Sequence, residues 1–129
     1  VSTVLLLPAC ADRQEAKQEL LYNLYTDLES HSDRLEKSLT LNDESFKAEA
    51  IVTLTKVSAS IARFGAARDT VDAEFNENFI MALDLLGNRS ETLHNSLMFE
   101  VPATLNYTVG RKRIKNFHND LERFLSEME

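Results

Sequence analysis

Three glycines and two prolines are the only strong breakers in 129 residues. Sheets and long loops need turn residues, so a chain this poor in them is held to long helices with short connections. The apolar pattern agrees. Between Ala11 and about Leu39, Leu21, Leu24, Leu28, Leu35 and Leu39 fall on one helical stripe, with Glu19, Asp27, Glu29, Asp33 and Glu36 largely outside it. That spacing predicts a first helix about 42 Å long at 1.5 Å per residue. Capping residues then cluster over Thr40–Glu44, and Asn42 or Asp43 is the expected N-cap of the next helix.

Phe46, Ala50, Leu54, Val57, Ile61 and Phe64 mark the inner face of a second helix, with Gly65 as its candidate stop and a turn before Asp72. A third stripe runs Val71, Phe75, Phe79, Ala82, Leu86, Leu93 and Leu97. Gly87-Asn88 interrupts it, and Asn88 with Glu91 resembles a capping box, which predicts a kink or a fresh start there. Pro102 ends the pattern, and Glu100–Ala103 reads as a connection. The last helix carries Ile114, Phe117, Leu121, Phe124 and Met128 inward, starting near Thr104 or just after Gly110. Four stripes that must share one core predict an all-α, antiparallel four-helix bundle. Three long helices, running straight through Gly65 and Gly87, are the alternative.

Length fits one domain with a real core. Hydrophobic residues at 43% and charged residues at 27% are those of a globule, not of a disordered chain. A net charge of −7 opposes non-specific nucleic-acid binding, which needs a basic surface. One cysteine excludes an internal disulfide.

Residues able to do chemistry are scattered. His31 stands on the first stripe between Leu28 and Leu35, where it reads as a metal ligand, a pH switch, or a half-buried histidine bonded to Asp27 one turn back. Glu91-x-x-His94 has the spacing that puts two ligands on one face in di-iron bundles, but its only companion, Lys115-x-x-His118, has lysine where glutamate is required. His31, Glu91, His94 and His118 are therefore weak metal candidates, and no cofactor is expected. No nucleophile elbow, phosphate loop or His-Glu-x-x-His occurs, so catalysis is not expected. Arg111, Lys112, Arg113 and Lys115 concentrate positive charge in an acidic chain. If the helix starts after Gly110 they oppose its dipole, an arrangement folding does not require. They read as a contact for anionic headgroups or an acidic partner, or as a solvated turn.

Leu5-Leu6-Leu7-Pro8-Ala9-Cys10 is an apolar run, a small residue and the chain's single cysteine, followed at once by the polar Asp12, Arg13, Gln14 and Glu15. The segment resembles a lipobox, the end of a bacterial lipoprotein signal, with Pro8 standing where a small residue is usual. The resemblance implies that residues 1–9 are a signal-peptide remnant, that Cys10 is lipidated, and that 10–129 is one helical domain. Ala11 rather than aspartate after the cysteine implies the outer membrane, and several acyl chains anchor stably without a spanning helix. The reading this supports is a lipid-anchored protein on the periplasmic face of the cell envelope, binding an envelope or secretion-system protein as an accessory, assembly or inhibitor module. Alternatives are a metal-binding bundle with histidine and glutamate in its core, and a cytoplasmic helical regulator that homo-oligomerises through exposed apolar stripes.

Overall fold

The computed structural model describes residues 2–99 and 106–128, with side chains from residue 14 onward. It holds four helices: α1 (Ser2–Ser38), α2 (Asp43–Arg68), α3 (Glu77–Phe99) and α4 (Tyr107–Met128). Each packs on the next, and α4 closes back on α1, so the chain is an antiparallel four-helix bundle. Of these four contacts, α3 on α4 is the least intimate.

The first turn is tight. Leu39, Thr40 and Leu41 donate backbone N–H groups to the carbonyls three residues before them at 3.0–3.2 Å, which satisfies the end of α1. Asn42 then caps α2, its side chain accepting from Ser45 N at 3.0 Å. Asp43 and Glu44 in the first turn of α2 and Lys37 in the last turn of α1 suit the helix dipoles.

The core follows the predicted stripes in α1, α2 and α4, with Leu125 added, while in α3 Leu83 is buried and Ala82 only partly so. Leu24, Leu28 and Leu35 of α1 meet Phe46, Ala50, Leu54, Val57 and Phe64 of α2, Leu83, Leu86 and Leu97 of α3, and Ile114, Phe117, Leu121 and Phe124 of α4. One end is closed by aromatic rings. Phe64 lies edge-on to Phe75 and Phe79, at 5.4 and 6.0 Å between centroids, and Phe79 stacks on Phe124 at 5.3 Å.

The boundaries differ from expectation in four places. α1 already begins at Ser2, upstream of Ala11, because Val4–Leu7 is itself compatible with helix. α2 does not stop at Gly65 but continues to Arg68, since Gly65 keeps an ordinary negative φ and supplies no left-handed cap. α3 starts at Glu77, not Val71. Asn76 makes the cap, its Oδ1 accepting from Asn78 N at 2.8 Å and Phe79 N at 3.3 Å. Phe75 joins the core from the link rather than from a helix. Neither a kink residue nor a fresh start is needed at Gly87-Asn88, which α3 crosses as one helix with Gly87 facing Ile61. The helices thus run through both glycines, as in the three-helix alternative, yet the break at 69–76 keeps their number at four. The connection expected at Glu100–Ala103, with Pro102, lies outside the described residues.

A closed circuit of part-buried polar pairs links neighbouring helices around this core. His31 Nε2 meets Ser60 Oγ at 2.9 Å between α1 and α2. Ser58 donates to Ser90 at 3.1 Å, and Ser90 to Leu54 O at 2.9 Å, between α2 and α3. Arg89 pairs with Asp120 between α3 and α4. Ser32 donates to Glu122 Oε1 at 2.5 Å between α1 and α4. Each helix supplies its two members from within two sequence positions, so the pairs form a belt at one level of the bundle.

Candidate functional site

Asn106 caps α4 through Val109 N at 3.2 Å, so the helix starts at Tyr107, between the two starts the sequence suggests. The basic residues from Arg111 to Lys115 consequently lie beyond the first turn. The dipole's opposition to them is small, because its field decays within that turn.

The structure separates the four. Arg111 is built into the fold: its guanidinium donates to Leu39 O at 3.1 Å, Leu41 O at 2.8 Å and Asp43 Oδ1 at 2.9 Å, and stands 4.5 Å over the Phe46 ring. It ties α4 to the α1–α2 turn. Arg113 points to the other side of α4, where with Asn88, Thr92 and Asn116 it lines a cavity of about 290 Å³ against α3. Lys112 and Lys115 are exposed, and neither has a carboxylate within 4.0 Å among the described residues. Together with Arg111, His118, Asn119, Glu36 and Leu39 they line a groove of about 510 Å³ between α1 and α4.

His118 is 13% exposed, and its Nε2 is shielded from water without a hydrogen bond. The nearest carboxylate oxygens, Glu122 Oε1 at 3.6 Å and Glu36 Oε2 at 4.0 Å, are too far to bond it. His31, on the opposite side of α1, is half-buried. Its partner is Ser60 rather than Asp27, which instead stands 3.6 Å from Arg63. Arg63 also donates to Ser60 Oγ at 3.2 Å, and Asp27, Ser60 and Arg63 line a cleft of about 300 Å³ with Leu24 and Phe64. Burial lowers the His31 pKa from its ordinary 6.5; Asp27 opposes this, while Lys56, Arg34 and Arg63 add to it. The shift favours the neutral ring, and Nδ1 is unbonded.

The other metal candidates do not converge. Glu91 is exposed, and His94 pairs with its neighbour Asn95 at 3.3 Å. Among the described residues no three of His, Cys, Asp and Glu are grouped to hold a metal ion. The Cys10 side chain lies outside the described residues. No described helix is long and apolar enough to cross a membrane.

One feature of α3 escaped the sequence reading, which followed only its inner stripe. Asn78, Met81, Leu85, Asn88, Thr92, Asn95 and Phe99 are all exposed, all uncharged, and spaced alternately by three and four. Met81 is 68% exposed, Leu85 60% and Phe99 76%. This is the spacing with which one helix presents a continuous seam to another. The signal was present in the sequence as a charge-free register on a surface otherwise rich in charge. The seam borders the loosely packed α3–α4 contact, where a second cavity of about 190 Å³ is lined by Asn78, Phe79, Phe124 and Met128.

These features define a four-helix bundle with a basic groove on one side and an uncharged helical face on another. The chain matches no protein-family model, no curated protein and no solved structure.

Proposed function

We propose that this chain is a lipid-anchored helical protein of the bacterial cell envelope, which acts by binding an envelope or secretion-system protein and performs no catalysis. The observation that carries the binding role is the α3 face from Asn78 to Phe99. Exposing Met81, Leu85 and Phe99 along one line brings no stability to the isolated bundle, whereas a partner helix laid on that line would bury them. The anchoring role rests on the lipobox resemblance at Leu5–Cys10.

Two measurements test the reading. Expressed from its full gene, the wild type incorporates labelled palmitate and sediments with membranes, and Cys10→Ser does neither; an unlabelled, soluble wild type ends the anchoring claim. A photo-crosslinker at Asn88 traps one envelope protein, and adding Met81→Glu with Leu85→Glu on the same face removes that capture while leaving the thermal midpoint unchanged. Equal capture by the double variant refutes the assigned docking face.

A further inference from the structure

We infer that the groove between α1 and α4 is a binding site for an organic phosphate, with the phosphoryl group held by Lys112 and Lys115. This deepens the contact role of the basic segment and does not depend on the acyl anchor.

Three observations lead there. First, the two lysines sit three positions apart on one wall of the groove, exposed and without a carboxylate partner among the described residues. Like charges at that spacing repel by a few tenths of a kcal/mol, and nothing in the fold uses the pair as it uses Arg111. A single dianion between them removes the repulsion. Second, the neighbours suit a phosphoryl group with a body attached. The Asn119 amide adds a donor, a phosphoryl offers three acceptor oxygens, and Leu39 offers apolar surface to whatever carries it. The groove is open to solvent and its volume of about 510 Å³ is more than inorganic phosphate fills, which leaves room for an organic body beside the phosphoryl group. Third, the site is positive locally in a chain of net charge −7, so an anion has a reason to settle here rather than elsewhere.

Carboxylates limit where the phosphoryl can sit. Glu36 lines the groove near His118, Glu122 flanks the same ring, and Asp43 is paired with Arg111. The anion therefore belongs at the Lys112–Lys115 wall, away from His118, while Glu36 faces its organic part. The same chemistry is found in a phospholipid headgroup and in a soluble phosphate ester.

The test uses the full chain with Cys10→Ser, so that no acyl group contributes. Amide resonances are followed while glycerol phosphate is added, and sedimentation is measured with phosphatidylcholine vesicles with and without phosphatidylglycerol. Saturable binding of glycerol phosphate identifies a soluble ester; binding only to phosphatidylglycerol vesicles identifies a headgroup. In either arm Lys112→Gln with Lys115→Gln weakens binding at least about tenfold, and Arg113→Gln changes it less than about twofold. Equal losses in the two variants would mean a diffuse charge effect and overturn the proposal, as would the absence of binding in both arms.

Discussion

His31 is a residue whose protonation works against folding. Its ring is half-buried, hydrogen-bonded only through Nε2, and faced by Lys56, Arg34 and Arg63 as well as by Asp27. The folded-state pKa is therefore lowered, and between that value and the ordinary 6.5 the unfolded chain binds a proton that the folded chain refuses. Its stabilising contribution is complete above about pH 6.5 and declines as pH falls through that window. Urea unfolding at about pH 7.5 and about pH 5.5 measures this: the wild type loses more stability on acidification than His31→Gln, and equal losses would contradict it. Sequence alone placed His31 on the first stripe, and its half-buried reading had Asp27 as partner, because a bond one helical turn away is the only one visible in a linear reading. Ser60, twenty-nine residues on, becomes its neighbour only when α2 folds back. The basic segment shows the same limit. Four cations within five positions were legible, but Arg111 differs from Lys112 only by its contacts with Leu39, Leu41 and Asp43.

Among the elements, α2 and α3 each carry a glycine that the helix does not need. A Cβ added at Gly65 would meet nothing within 4 Å, and one at Gly87 would meet Ile61 Cγ2 at 3.5 Å, an ordinary contact. Alanine at either position is expected to raise stability by about 0.5–1 kcal/mol, since it narrows the unfolded ensemble without strain. Chemical denaturation of the two variants checks this, and a loss at Gly65→Ala would mean that α2 ends there after all. These glycines also explain how element boundaries were misread. Both looked like punctuation, whereas the stops are made by Asp69–Val71 turn bonds and the Asn76 cap. Phe75 prolonged the third stripe by one more apolar step at helical spacing, although it reaches the core from a link. Inner faces were readable because burial imposes a period; apart from the Asn42 cap of α2 the ends were harder to read, because a cap is a single hydrogen bond.

At the scale of the whole molecule, the core side chains among the described residues run from Leu20 to Met128 and come from all four helices. The proposed lipobox places residues 1–9 outside the domain, so a chain beginning at Ala11 is expected to unfold in one cooperative transition with the helical signal of the bundle intact, as read by circular dichroism against urea. A non-cooperative profile would mean that residues before Ala11 complete the domain. The polar belt contributes to this unity in a particular way. Apolar side chains tolerate neighbours of similar shape, so an all-leucine interior permits several registers. Hydrogen-bonded pairs do not, and a buried partner left alone is costly.

That circuit also governs how the bundle answers to force. α1 is stitched to α2 through His31 and to α4 through Ser32, at adjacent positions on its two flanks. Sliding it by a single turn, about 5.4 Å, would break both stitches in one movement. A tug on its leading end loads them in shear, along the helix axis, so they must yield together rather than peel apart tooth by tooth. Were the proposed anchor to hold the molecule by that end, an axial pull would fall on the two bonds together.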